Sequence, residues 1–189
     1  MTPLAGQHRD AIALLTRWSP PTAEQAALRE EYVEHLHAHP DGTSRECSPA
    51  HLTCGAVVLD ATGDRVLLTL HAKAHRWFHL GGHLEPGDPT VAAAALREAT
   101  EESGTAGLDL DPVPVQLDAH EVSFCGDVPA TRHLDVRFLA VAPPAAEVAV
   151  SAESLDVAWW PIDALPTDEP SLRELVDLAR ARLAVRLQA

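Results

Sequence analysis

Apolar and polar positions follow two different rhythms along this chain. Near the start they trace helical stripes. Residues 10–18 (DAIALLTRW) predict a short helix that Pro20-Pro21 ends. A second helix is predicted from an N-cap at Thr22 to about His39, with Ala26, Ala27, Tyr32, Val33 and Leu36 forming its apolar stripe. Gln25, three residues after Thr22, completes a capping-box pattern, and Pro40-Asp41-Gly42 closes the helix. From about His51 the rhythm becomes that of strands. Residues 52–59 and 65–70 flank the turn-rich DATGD and predict a β-hairpin. Residues 113–124 and 133–141 predict two more strands, separated by a loop with Gly126-Asp127 and Pro129. VAWWPI at 157–162 predicts a short last strand. Residues 171–187 predict a terminal helix with Leu172, Leu175, Val176, Ala179 and Leu183 on one side. This order implies an α/β fold with a mixed sheet packed by helices. Residues 1–46 stand apart as a helical N-terminal extension of a main domain at 47–189. No internal repeat or low-complexity tail is present.

The segment that carries chemistry lies between the hairpin and the later strands: GGHLEPGDPTVAAAALREATEESG, residues 81–104. Its helical part is Ala-rich, which permits close packing on a sheet. Asp88-Pro89 offers an N-cap followed by proline at the first helical position. Residues three and four apart share a helix face, so Glu98, Glu101 and Glu102 project from nearly one line. Such carboxylates repel unless a hard divalent cation, Mg²⁺ or Mn²⁺, is held among them. Such an ion can bridge phosphate oxygens and activate water. Arg97 stands four residues before Glu101 and can pair with it. Gly81 and Gly82 let the backbone come close enough for a carbonyl to act as a ligand. A solvated face with i,i+4 salt bridges is the competing explanation for an isolated REATEE, and the upstream glycines shift the balance toward a metal site.

Composition narrows the partners. The 189 residues carry 14 Lys+Arg against 28 Asp+Glu, a net charge of −14, which disfavours a nucleic-acid duplex as partner. A small phosphorylated molecule remains compatible, because bound cations reverse the local field. Apolar residues make up 46%, enough for a buried core in one domain. Cys47, Cys54 and Cys125 form no CxxC pair, so reduced thiols in a cytoplasmic protein are the simpler expectation. The N-terminus lacks a basic leader with a long apolar run, and no stretch is long enough to span a membrane.

Residues 81–104 resemble the signature of the Nudix hydrolases: a glycine, five residues, a glutamate, seven residues, then Arg-Glu-aliphatic-any-Glu-Glu-any-Gly-aliphatic. Here Gly82 is followed by five residues, Asp88, eight residues, and Arg97-Glu98-Ala99-Thr100-Glu101-Glu102-Ser103-Gly104-Thr105. Asp88 replaces a glutamate, one residue is inserted before Arg97, and Ala99 and Thr105 stand where bulkier aliphatics are usual. Trp77-Phe78-His79-Leu80 resembles the aromatic lead-in to the family's loop, with leucine in place of proline before Gly81. Residues 157–163 resemble its last strand, so the likeness spans roughly 50–166.

The resemblance implies a Nudix-like α/β/α sandwich and a Mg²⁺- or Mn²⁺-dependent pyrophosphohydrolase. Its substrate would be a nucleoside diphosphate linked to another moiety. It implies Glu98 and Glu102 as metal ligands, Glu101 as a third, and the Gly82 carbonyl as another. Glu153, before the last strand, is the candidate for a further ligand or general base, with capping of a surface loop as its alternative. His120 and Glu121 compete for the same role. Trp77 and Phe78 are candidates to stack on substrate, against core packing, and His83 is a candidate to touch metal or substrate, against a plain surface position. His71, His75, His79 and His83 recur every fourth residue, but the glycines and strand pattern argue against a helical metal ladder. His35, His37 and His39 suit a helix C-terminus as positive groups. Two other functions compete. A prenyl-diphosphate isomerase would need a catalytic cysteine and a further metal-binding histidine set. A non-catalytic nucleotide sensor would not need the glutamates. The N-terminal helices are open to a role as a homodimer interface or a lid.

Overall fold

In the computed structural model, residues 3–122, 131–150 and 154–188 are described. Two helices come first, α1 (Pro3–Arg17) and α2 (Ala23–Ala38). Then follow β1 (Ala50–Leu59), β2 (Arg65–His71), β3 (Trp77–Phe78), β4 (Leu80–His83), α3 (Val91–Ser103), β5 (Asp109–Leu110), β6 (Gln116–Val122), β7 (Thr131–Val141), β8 (Ser154–Pro161) and α4 (Pro170–Arg186). The strands form one eight-stranded mixed sheet with a spine β3-β2-β1-β7-β5. The predicted hairpin is present as β1 and β2, paired antiparallel through Val58↔Leu67 and Leu59↔Val66. β1 and β7 run parallel over their whole length, from Ala50↔Arg132 to Leu59↔Val141.

β1 is buried at all ten positions. That is the mark of a strand covered on both faces, and its side chains alternate between two cores. Leu52 and Cys54 pack with α1, α2 and the start of α3, while Ala56 and Val58 join Leu80 and Ala99. On the other face Val57 and Leu59 meet Leu172, Leu175, Val176, Ala179 and Leu183 of α4, the stripe expected from the sequence. Helices thus cover both faces of the sheet, an α/β/α sandwich. Each leucine fully removed from water contributes about 1.5–3 kcal/mol, so this layering is strongly specified by the apolar positions.

The first helix is longer than the 9 residues expected at 10–18: it runs Pro3–Arg17. Thr22 caps α2 as expected, its hydroxyl accepting the Gln25 N–H at 3.3 Å. The other half of the capping box is absent. Gln25 is buried and turns to the β6 strand instead. Its Nε2 donates to the Leu117 carbonyl at 2.9 Å and its Oε1 accepts the Leu117 N–H at 2.6 Å. A buried polar edge competed with a local cap and won. α1 and α2 therefore share a core with the sheet: Ala11, Leu15, Trp18, Tyr32 and Leu36 lie in one cluster with Leu52, Leu84, Val91 and Phe138. β5 was not expected from the sequence. Residues 123–130, with Cys125, and residues 151–153, with Glu153, fall outside the described residues. Cys47 and Cys54 are free and buried. Among the described residues no helix is long and apolar enough to cross a membrane.

Candidate active site

α3 starts at Val91, and its cap is Thr90, whose hydroxyl accepts the Ala93 N–H at 3.0 Å. Asp88 is therefore not the N-cap that its place before proline suggested. It is buried in the loop, where its Oδ2 accepts the Glu85 N–H at 2.7 Å. Arg97 reaches back from the helix and grips the same carboxylate with two hydrogen bonds, Nε to Oδ1 and NH2 to Oδ2, each 3.0 Å. It also donates to the His83 carbonyl at 2.9 Å. Burial alone would raise the Asp88 carboxyl, but Arg97 and the Glu85 N–H outweigh it and hold the group below its usual range. Hydrogen bonds from Arg97 to Asp88 work in reverse on the guanidinium and hold it firmly charged. Whichever residue between Asp88 and Arg97 is the extra one, it precedes Arg97, so the spacing among the three glutamates is untouched.

Arg97 also bonds Glu98 Oε1 at 3.1 Å and Glu101 Oε2 at 3.0 Å, the i,i+4 pair expected from the sequence. Glu101 is drawn outward, with its side chain 61% exposed, whereas that of Glu98 is 17% exposed. Glu102 is buried and its Oε2 accepts the Gly81 N–H at 2.9 Å. A Cβ placed on Gly82 would stand 2.8 Å from the Glu98 carboxylate carbon, so a larger residue here would push that carboxylate off the strand. Gly104 ends the helix in the left-handed conformation, φ 65°, and its N–H caps the Thr100 carbonyl. Two acids, Glu98 and Glu102, thus lie against the glycine backbone, and the third is held aside by arginine. Hard oxygen donors on one helix face beside a paired strand are the donor set a Mg²⁺-class ion selects.

The N-terminal helix props this loop. Gln7 is buried and its Nε2 donates to the Glu85 carbonyl and, at 2.9 Å, to the Asp88 carbonyl. Asp10 Oδ2 accepts the Val91 N–H at 2.8 Å, a second cap for α3. Sequence reasoning assigned α1 no contact with the loop.

The opposite face of the sheet holds a group that the sequence did not reveal. His51 on β1 sits beside His133 on β7 in the parallel register, and His133 sits beside His120 on β6. His83 on β4 pairs with Thr53, two residues along β1 from His51 and so on the same face. The rings of His51, His83 and His133 stand 5.0–5.2 Å apart. Burial, and then the neighbouring imidazoles, push His83 down to about 4 and His133 to about 3, so both rings are neutral at pH 7. Beyond them lies a buried ionic network. Asp135 accepts from Thr53 Oγ1 at 3.1 Å, from Arg137 Nε at 2.7 Å and from His79 Nε2 at 3.2 Å. Burial would raise Asp135, but Arg137 and His79 outweigh it and keep the carboxyl well below its usual range. The His79 contact has the geometry of an ion pair, yet burial and Arg137 push that imidazole down. It is a hydrogen bond from a neutral ring. Arg137 also meets Asp118, Gln116 and Ser171 at 2.7–2.9 Å.

Other expected positions resolve differently. Trp77 packs edge-on against Trp160 at 5.3 Å in the α4-side core. His71 ends β2, His75 has φ 52° in the following turn, and His79 joins Asp135, so the fourfold spacing reflects no ladder. His120 pairs with Asp118 at 2.8 Å on the histidine face, and the Glu121 residue is exposed. His35 stacks on His39 at 4.5 Å, and burial lowers its affinity for a proton, against the positive role expected at the helix end.

A family model for the NUDIX domain matches residues 49–179. No curated protein matches the chain. Among solved structures, a NUDIX-family hydrolase from Clostridium perfringens is 23% identical with TM-score 0.53, covering 72% of this chain and 97% of its own. A binary complex of the C. elegans Ap4A hydrolase is 21% identical with TM-score 0.56, covering 71% and 98%. The E. coli dihydroneopterin triphosphate pyrophosphohydrolase is 18% identical with TM-score 0.53, covering 69% and 95%. At these identities the likeness is one of fold. With the family model spanning most of the sheet and all of α3, the chain belongs to the NUDIX domain family, hydrolases of diphosphate bonds.

Proposed function

We propose that this protein is a Mg²⁺- or Mn²⁺-dependent pyrophosphohydrolase whose substrate is a nucleoside diphosphate linked to another moiety. The observation that carries it is the approach of the Glu98 carboxylate to Gly82, together with the Glu102 hydrogen bond to the Gly81 N–H. Glu98, Glu102 and the Gly82 carbonyl would hold the ion, with Glu101 able to join from its exposed position. When bound, the ion supplies charge neutralisation for the phosphates and activation of water. The chain's own residues do the rest. Arg97 ties α3 to the loop through Asp88 and the His83 carbonyl, which fixes Glu98 relative to the glycines. Acids already held in place need no rearrangement to receive the ion, and the ion, not the acids, would offset the charge on the departing phosphate. Glu153 is our candidate for receiving the water proton, on its place just before β8.

The isomerase reading gains one feature and loses another. The structure does gather a histidine set. Cys54, however, is fully buried on the face away from those histidines, and burial, with Asp135 next, pushes its thiol well above its ordinary value. An inert core thiol cannot serve as the catalytic cysteine, which leaves that role in this reading to Cys125, outside the described residues. The retained glutamates favour an enzyme over a nucleotide sensor. The test is a panel of nucleoside triphosphates, ADP-ribose, dinucleoside polyphosphates and sugar nucleotides, with Mg²⁺ and with Mn²⁺, scored by phosphate-containing products. Hydrolysis of at least one class is expected. Tight nucleotide binding without turnover on any of them would return the sensor reading.

A further inference from the structure

Among the described residues, two sets of three potential metal donors come within 4.8 Å of one another, and the glutamates of α3 are not one of them. The first set is His51, His83 and His133, one imidazole nitrogen from each. These residues come from three different strands and lie on the sheet face away from Glu98. Gly82 turns toward Glu98, and its strand neighbour His83 projects the other way.

The hydrogen bonds define which nitrogens are offered. His51 Nδ1 lies 3.1 Å from the Cys47 carbonyl. A carbonyl only accepts, so Nδ1 carries the proton and Nε2 presents a lone pair toward His83. This backbone clamp on the far nitrogen is how metal-binding histidines are held in tautomer and orientation. His83 Nε2 stands 3.1 Å from His51 Nε2. Without an ion this contact is a hydrogen bond donated by His83 Nε2. An ion would take the place of that hydrogen, the His83 proton would move to Nδ1, and the two nitrogens would part by a few tenths of an ångström to the roughly 3.3–3.4 Å of a tetrahedral site. His133 Nε2 is buried without a hydrogen-bond partner among the described residues. A buried polar atom left unpaired is costly in an ordinary core, and an ion at this point would satisfy it.

We propose that His51, His83 and His133 form a second metal site, one that takes a Zn²⁺-class ion and is separate from the oxygen-donor site on α3. Imidazole nitrogen suits Zn²⁺, Co²⁺ or Ni²⁺, whereas Mg²⁺ selects carboxylate and water. Three protein ligands leave a fourth position open. His51 is fully buried while His83 and His133 are only partly covered, so that position faces the outside of the sheet. An open three-histidine site admits water or an anionic oxygen. The inference stands on the histidine geometry and does not depend on the diphosphate reading.

The experiment strips the full-length protein with chelator and titrates it with Co²⁺ in the presence of excess Mg²⁺. One equivalent should bind, with visible bands of a four- or five-coordinate nitrogen site and no thiolate charge-transfer band. Zn²⁺ should displace the cobalt. His133→Gln and His51→Ala should each weaken binding by more than the roughly 10–100-fold cost of losing an outer-shell partner. Glu98→Gln with Glu102→Gln should leave the cobalt bands in place. Thermal melts of the stripped variants check the fold. Should His51→Ala fail to fold, His133→Gln decides the matter from the partly exposed side of the cluster. Absence of Co²⁺ uptake under Mg²⁺ overturns the proposal. So does uptake that survives His133→Gln but vanishes in the glutamate double variant. A thiolate band abolished by Cys47→Ser would place the ion at His39, Asp41 and Cys47, the other donor set, and would also overturn it.

Discussion

Gly82 and His83 are consecutive residues on β4, yet they look onto opposite chemistries. Gly82 meets a glutamate on α3, and His83 meets two imidazoles from β1 and β7. The glutamate side is built locally. Loop and helix lie within about twenty residues, and one arginine ties them together. The histidine side is built by strand register across more than eighty residues. What differs is the source of precision. On the first face a mutation in the loop displaces the acids directly, whereas on the second the groups are fixed by the parallel pairing of β1 with β7 and fall out of line only if the sheet does.

The comparison can be broken at its sharpest point by Gly82→Ala. The added methyl would enter the space of the Glu98 carboxylate at 2.8 Å, so turnover should fall by about 10²-fold or more in steady-state assays. Normal rates would mean that Glu98 does not need that approach. Next in size, Asp88→Ala removes the buried partner of Arg97. Breaking a buried pair costs about 3–5 kcal/mol, and the partial exposure of Arg97 brings the expectation to about 2–3 kcal/mol in urea unfolding. Turnover should fall with it, because Arg97 is then free to wander from Glu98.

On the other face, Asp118 is held at about 2: burial would raise it, but His120, Arg137 and Ser171 outweigh that effect. Its folded value lies below the unfolded one, so its contribution is present above about pH 4 and is lost as pH falls through about 2. The shift from 3.8 corresponds to about 2 kcal/mol. Asp118→Asn should therefore flatten the acid limb of stability between pH 4 and 2, measured by chemical unfolding at each pH. An unchanged limb would show that Arg137 is satisfied by Asp135 alone. The smallest effect concerns the N-terminal helix. Gln7→Ala deletes two hydrogen bonds to the loop carbonyls and should cost about 1–2 kcal/mol while raising KM or lowering kcat only slightly. No loss of stability would argue that α1 merely covers the core.

Much of the first face was legible because its chemistry is local. Arg97, Glu98, Glu101 and Glu102 lie within two helical turns, and Gly104 ends the helix, so spacing alone predicted the Arg97–Glu101 pair. Asp88 misled because a residue before proline is a natural N-cap. Its carboxylate instead had an arginine to neutralise, and Thr90 was available to cap. The histidine cluster was hidden because the sequence spacing of His71, His75, His79 and His83 drew the eye along the chain. The relevant neighbours lie across strands. A signal did exist: His51 and His133 each open a strand and are each followed two residues later by a polar group, Thr53 and Asp135. In β7 that alternation continues to Arg137 before turning apolar at Leu139, which marks a polar stretch on an otherwise buried face.

The central claim is that the acids against the glycines of β4 perform diphosphate hydrolysis. Its most direct test is the rate of phosphate-containing product formation in Mg²⁺ by the wild type beside Glu102→Gln, on whichever panel compound turns over best. Circular dichroism confirms the fold of both proteins. We predict a loss of at least about 10²-fold in kcat at unchanged secondary structure. A Glu102→Gln protein that hydrolyses the same compound at the wild-type rate would contradict the account.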